Sequence, residues 1–341
     1  MTESRTLTTD VAIVGAGPAG LFAAFELGML KINCVLIDAL SEVGGQCTAL
    51  YPEKPIYDIP AHPAIEAGEL IGALERQIAP FAPPRLLGRR AVALTGEAGA
   101  FTLVTDAGDT VSCKAVLLAA GAGAFGPNRP PLDGIEAYEA TGGVQYFVRR
   151  REELRGKKVV IAGGGDSAVD WALALVGIAA SIQLVHRRAR FRASPESAAR
   201  LEQAAARGEI ELVVPAQLSA LHGTGGHLET VEVADLDGIP RALPADVLLA
   251  FFGLSTDLGP LAAWGLAVER QHIAVAPATC ATSRPGVFAI GDLATYPGKL
   301  NLILQGFSEA AMAAHALHAV VFPGTALHFE HSTSMALPAP R

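Results

Sequence analysis

Two glycine-rich turns of the same kind recur along the chain, each preceded by an apolar run. The first is Gly15-Ala16-Gly17-Pro18-Ala19-Gly20, after Val11-Ala12-Ile13-Val14. The second is Gly163-Gly164-Gly165-Asp166-Ser167-Ala168, after Val159-Val160-Ile161-Ala162. Each reads as strand, tight turn and helix start. That geometry brings backbone N–H groups and a helix N-terminus onto a pyrophosphate. Two such turns predict two dinucleotide sites, one at Gly15, Gly17 and Gly20, the other at Gly163, Gly165, Asp166 and Ser167. A lone turn of this kind is weak evidence, so the residues that follow must carry the argument.

The two sites differ where the next strand ends. After the first turn the strand Cys34-Val35-Leu36-Ile37 closes with Asp38, a residue suited to accept hydrogen bonds from ribose hydroxyls. After the second turn the strand Ile182-Gln183-Leu184-Val185 closes with His186-Arg187-Arg188, followed by Arg192. A carboxylate there would repel a 2′-phosphate, whereas guanidinium groups bind it in bidentate fashion. The second site is therefore expected to take NADP rather than NAD, through Arg187, Arg188 and Arg192.

Length and composition fit this reading. At 341 residues the chain is long for one domain, so two are expected. Half the residues are apolar and 18% are charged, as in parallel sheets covered on both faces. The mean hydropathy of +0.35 raises the question of a membrane. The longest apolar stretch, Trp171 to Val185, contains Gly177, Ser181 and Gln183. It reads as a buried helix running into a strand rather than a span of ~20 residues. The polar N-terminus has no signal-peptide core, and the expectation is a soluble, cytoplasmic protein without a membrane partner. A net charge of −8 disfavours nucleic acid. The basic residues nevertheless cluster, at Arg149–Arg151 with Arg155, Lys157 and Lys158, and at Arg187–Arg192. The four cysteines, Cys34, Cys47, Cys113 and Cys280, have neither Cys-x-x-Cys nor metal-ligand spacing, so no metal site is expected.

The chain looks duplicated in pattern. Each half later shows short alternating strands around turn residues, at Phe101–Val104 and Thr230–Val233, which read as β-meanders. Each meander leads to an apolar strand ending in glycine, at Val116–Gly121 and Val247–Gly253. These strand ends are expected crossing points, the first continuing into the linker Gly121–Pro127. The expected organisation is a discontinuous first domain, residues 1–121 and 249–341, with a second domain, 122–248, inserted in it. The glycine-rich crossings would suit a hinge.

Gly291-Asp292 follows another buried strand, Val287–Ile290, and Leu304–Glu309 begins an alanine-rich helix. With the two glycine turns and the arginine cluster, these motifs resemble the thioredoxin-reductase-like flavoproteins. Gly44-Gly45-Gln46, Leu50-Tyr51-Pro52-Glu53-Lys54, Tyr146-Phe147-Val148 and His331-Ser332-Thr333-Ser334 narrow the resemblance to the ferredoxin/flavodoxin–NADP reductases of that type, over essentially the whole chain.

The resemblance implies an α/β fold of two Rossmann-like dinucleotide-binding domains, like the class II pyridine nucleotide-disulfide oxidoreductases but without their redox cysteine pair. Thioredoxin reductases carry a Cys-x-x-Cys before the second turn, where this chain has Gly142-Gly143-Val144-Gln145-Tyr146-Phe147. Larger disulfide reductases place a Cys-x4-Cys pair after the first acid, where Cys47 stands alone. Asp38, Gln46, Tyr51, Val92, Phe125, Asp292 and Thr333 would line FAD. Tyr51 would stack on one flavin face and His331 would cover the other, from the partner subunit of a homodimer; these two are the candidate catalytic residues. NADPH would pass a hydride to FAD, which would pass single electrons to ferredoxin or flavodoxin. A flavin or quinone reductase, or an oxidase, without a protein carrier is the alternative. Arg149–Arg151 would either steer an acidic carrier or form a solvated face, and Cys47 reads most plainly as a small buried thiol.

Overall fold

The computed structural model describes residues 4–327. Its helices are, in chain order, α1 (Pro18–Met29), α2 (Gln46–Ala49), α3 (Ala67–Ile78), α4 (Ile135–Ala140), α5 (Asp166–Ala174), α6 (Pro195–Ala206) and α7 (Ile303–Val321). The chain divides into two compact units. One is built from both ends, up to Phe125 and from Thr256 onward, and the other spans Gly126–Ser255. Against the expected insertion of residues 122–248, both crossings fall later in the chain, after Phe125 and after Ser255.

The two-ended unit is organised by a parallel sheet in the order Val287–Ala289, Ala115–Leu118, Val11–Val14, Cys34–Asp38, Arg85–Leu87. Its three middle strands are apolar almost throughout because both faces are covered. Alternation sorts their side chains. Val11, Ile13 and Leu117 join a core with Leu21, Leu27, Leu70, Leu74 and Leu317 from α1, α3 and α7. Ala12, Val116 and Leu118 join a second core with Phe101, Leu103 and Val111 from the meander. That meander is antiparallel, Ala91–Glu97 with Ala100–Thr105 and then Thr110–Cys113.

The inserted unit repeats the plan. Its parallel sheet runs Val144–Gln145, Val247–Ala250, Lys158–Ala162, Ser181–Val185, Glu211–Val213. An antiparallel meander, Gln217–Thr224, His227–Ala234 and Pro240–Pro244, packs on one face through Leu221, Val231, Val233 and Leu243. In both units the glycine turn leaves the carboxyl end of a central strand, where ligands bind in open α/β sheets.

Candidate functional site

In the two-ended unit the site begins with the turn after the Val11–Val14 strand. Gly15 has φ +112°, and a Cβ there would lie 2.2 Å from the Ala119 carbonyl oxygen. No L side chain fits that conformation or that space. A Cβ on Gly20 would lie 2.0 Å from the Gly15 carbonyl oxygen, so the first turn of α1 sits directly on the loop. Gly17 caps α1 without any side-chain hydrogen bond, and Pro18 follows at the first helical position. The N-terminus of α1 thus keeps its unpaired amides and positive dipole end for an anion.

A second glycine pair closes on the first turn. The Gly44 N–H donates to the Ala16 carbonyl at 2.8 Å. A Cβ at Gly45 would lie 3.2 Å from the Gly17 Cα. Backbone thus faces backbone, as a pyrophosphate cradle requires. Gln46 opens α2 from this loop, and its Nε2 reaches toward Gly121 at the end of the Ala115–Leu118 strand.

Asp38 ends the neighbouring strand. Its carboxylate accepts the Ala16 N–H at 2.6 Å and the Leu40 N–H at 2.8 Å. Burial raises its pKa, against the lowering effect of these two amides. A carboxylate has about four acceptor positions, so lone pairs remain for ribose hydroxyls. Segment 88–89 is tied to this end of the sheet, with Gly88 N–H on the Leu40 carbonyl at 2.7 Å and Arg89 N–H on the Asp38 carbonyl at 2.8 Å. Val92 follows at a register irregularity between Ala91 and Ala93. Bulges of this kind re-aim a strand beside functional sites.

Tyr51 and Asp292 meet at the other end of the site. Tyr51 is half-buried against the first core, with the Lys54 ammonium 5.9 Å from its ring centre. Its hydroxyl shares a hydrogen bond with the Cys47 thiol, and the negative charge of Asp292 acts on both groups. Burial pushes the Cys47 thiol up to about 11, far from the thiolate that redox chemistry needs. Asp292 reaches solvent but is ringed by protein, and that desolvation raises its carboxyl. All four cysteines are free and buried. The Phe125 side chain, His331 and Thr333 lie outside the described residues.

The inserted unit builds its site on Gly163–Ala168. Gly165 caps α5 in extended conformation, and open space lies beside it. Gly164 rests on the His186 imidazole, so a Cβ there would lie 2.1 Å from the ring. The loop after His186 folds back on the glycine turn. Arg192 N–H donates to the Gly164 carbonyl at 2.7 Å, Ser194 N–H donates to Asp166 Oδ1 at 2.9 Å, and Phe191 stacks on His186. Arg187, Arg188 and Arg192 are exposed, and among the described residues none pairs with a carboxylate. Burial and the charges of Arg192, Arg187 and Arg188 hold the His186 pKa down. Three uncompensated guanidiniums beside a helix N-terminus fit a phosphorylated ribose.

The basic run before the second turn behaves differently. Arg150 pairs with Glu153 at 2.6 Å, and Arg155 pairs with Glu152. Gly142, Val144, Gln145, Tyr146 and Phe147 line a cavity of about 450 Å³ within this unit, with no thiol among its lining residues.

A group missed in the sequence lies behind Asp292. Glu309 on α7 is fully buried, and its carboxylate accepts the Gly291 N–H at 2.7 Å and the Tyr296 hydroxyl at 2.6 Å. Lys299 completes the set as an ion pair. The available signal was one carboxylate within the alanine-rich stretch Gly306–Ala314.

This geometry matches known proteins. The family model described as pyridine nucleotide-disulphide oxidoreductase matches residues 9–316, and the chain belongs to that family. A thioredoxin reductase of T. acidophilum superposes with TM-score 0.80 at 23% identity, over 92% of this chain and 98% of its own. The Lactococcus lactis thioredoxin reductase gives 0.79 at 23%, over 92% and 99%. Both share the fold. Closer in sequence is a Granulibacter bethesdensis protein named ferredoxin--NADP reductase, 73% identical over 99% of this chain and 96% of its own length. A Rhodospirillum rubrum protein of the same name is 59% identical, over 99% of each chain. Within the larger family the chain groups with these relatives.

Proposed function

We propose that this chain is an FAD-dependent ferredoxin–NADP(+) reductase, with FAD held by the two-ended unit and NADP(H) by the inserted one. The carrying observation is that two like turns end unlike strands, one in Asp38 and the other in three carboxylate-free arginines. Relatives bearing that enzyme name at 73% and 59% identity support it. Bound FAD supplies the conversion between a two-electron hydride donor and one-electron carriers.

The chain's own residues position and insulate. Gly15, Gly17, Gly20 and the α1 N-terminus bind the FAD pyrophosphate, Asp38 the ribose, and Asp292 the ribityl hydroxyls. Gln46, Val92, Phe125 and Thr333 line the remainder. Tyr51 would present its ring to one flavin face, and in the proposed homodimer the partner's His331, which lies outside the described residues, would cover the other. Gly163, Gly165, Asp166 and Ser167 bind the NADP(H) pyrophosphate, and Arg187, Arg188 and Arg192 clamp the 2′-phosphate. No residue serves as a nucleophile. Burial keeps the Cys47 thiol protonated, in keeping with electrons leaving for ferredoxin or flavodoxin without a thiol intermediate.

A cytoplasmic homodimer completes the proposal. No helix among the described residues is long and apolar enough to cross a membrane. Leu302 and Leu304 are exposed, and Phe22, Phe25 and Phe307 are half-buried, with Phe22 5.1 Å from Phe307. Such an apolar surface suits a second copy. Sedimentation should give a dimer, and Leu304→Glu a monomer; a monomeric wild type would contradict this part.

The cofactor assignment is tested with Arg187→Ala and Arg188→Ala. Charge-assisted hydrogen bonds contribute about 1.5–3 kcal/mol each, so each variant should lower the NADPH-over-NADH preference in kcat/KM by about tenfold or more. An unchanged preference would remove NADP(H) from this site.

A further inference from the structure

Glu309 and Lys299 form a buried ion pair whose side chains are 0% and 6% exposed. Removing two charges from water costs several kcal/mol per ion, and mutual attraction often no more than offsets it. Stability alone therefore gives no reason for the pair. Its contacts suggest another role. The Glu309 carboxylate accepts from Gly291 N–H at 2.7 Å, from the Tyr296 hydroxyl at 2.6 Å and from Lys299. All three donors come from the segment between the Val287–Ala289 strand and α7. Gln305 Nε2 extends the network to the Tyr296 hydroxyl at 2.8 Å. One carboxylate thus fixes the whole turn that presents Asp292.

Lys299 and the Gly291 N–H share the Glu309 carboxylate, which puts the ammonium beside the residue that precedes Asp292. The Lys299 charge favours the Asp292 carboxylate, as does His272 more weakly, while Glu309 opposes it. Tyr51 and Cys47 face Asp292 from the α2 side and bring no positive charge. Among the described residues no side chain or backbone group hydrogen-bonds the Asp292 carboxylate. A released Lys299 would have one obvious anion to take.

We propose that Glu309 is a positioning residue that sequesters the Lys299 ammonium, so that Asp292 stays available to cofactor hydroxyls. This rests on the FAD reading above. It assigns the ion pair a specific job, preventing a wrong pairing inside the site.

The test uses the full-length protein as Glu309→Gln, Lys299→Met and the double variant, with FAD dissociation constants from flavin fluorescence and unfolding midpoints from thermal melts. Glu309→Gln frees the cation and should weaken FAD binding on the order of tenfold, as loss of a supporting-shell contact does elsewhere. Lys299→Met should lower the melting midpoint, because Glu309 is left unpaired, yet keep FAD affinity near wild type. The double variant, with no cation to mispair, should recover most of the affinity lost in Glu309→Gln. That rescue separates sequestration from scaffolding, which would make the double variant at least as weak as either single one. Weak FAD binding in Lys299→Met or in the double variant overturns the proposal, and so does wild-type affinity in Glu309→Gln. Should Glu309→Gln fail to fold, the Lys299→Met result still decides it. A wild-type chain that binds no FAD overturns this inference and the FAD reading together.

Discussion

At the residue scale, glycine positions in the first turn are dictated by contact rather than by flexibility. Gly15→Ala places a methyl 2.2 Å from a backbone oxygen at φ +112°. Conformational strain alone costs about 1–3 kcal/mol, and the clash adds to it. The variant should melt well below wild type and retain little FAD; wild-type melting and flavin content would contradict this geometry. Asp109 is a second residue with a defined cost. It is fully buried and accepts from Arg5 N–H at 2.8 Å, Thr105 Oγ1 at 2.8 Å and Arg89 Nε at 2.9 Å. Burial pushes its pKa up, but these partners outweigh it and hold the carboxyl below its ordinary range. A depressed carboxylate contributes stability that is fully present above the unfolded value of about 3.9 and fades as pH falls through the folded value. Asp109→Asn should therefore lower stability near neutral pH and flatten the loss between about pH 5 and the acid end. Parallel pH–stability curves for the two proteins would count against it.

At the scale of elements, the two sites were legible to different depths. Both glycine turns, Asp38 and the arginine cluster follow from sequence because each has a local signature: apolar strand, glycine spacing, and charge at the strand end. The strap that binds residues 191–194 to the second turn was not legible. It depends on backbone groups of Gly164 and Arg192, and on His186 packing under Gly164, none of which leaves a pattern in side-chain type. Glu309 was hidden for a related reason. A lone carboxylate in an apolar helix names no partner until the fold brings Gly291, Tyr296 and Lys299 to it. The basic run Arg149–Arg155 shows the converse, since its sequence suggests a positive patch while Glu152 and Glu153 fold back onto it. Exposed pairs of this kind contribute about 0–1 kcal/mol. The strap carries a prediction of its own. Gly164→Ala would drive a methyl into the His186 ring, so NADP(H) affinity should fall while FAD content stays unchanged. Equal loss of both ligands would mean that the two sites are not independent.

At the scale of the whole molecule, the duplicated strand–turn–helix plan made the architecture readable. Each unit buries its own sheet, with apolar strands on both faces, and the strand pattern identified those sheets directly. The crossings were less well defined in sequence, because several glycines flank each change, Gly121, Gly123 and Gly126 at the first and Gly253 and Gly259 at the second, and none of them alone marks it. The absence of any Cys-x-x-Cys from the sequence carried more functional weight than any single residue present, since a dithiol route for electrons needs a pair of neighbouring thiols. The central claim is that electrons pass from NADPH through this chain to a one-electron protein carrier. It is tested most directly by anaerobic, NADPH-driven reduction of ferredoxin and of flavodoxin, with NADH and with thioredoxin plus a thiol reagent as comparisons. The account predicts rapid carrier reduction with NADPH, slow reduction with NADH and none through thioredoxin. A bleached flavin that reduces oxygen or quinones but neither carrier would contradict it and make the chain an oxidase or quinone reductase.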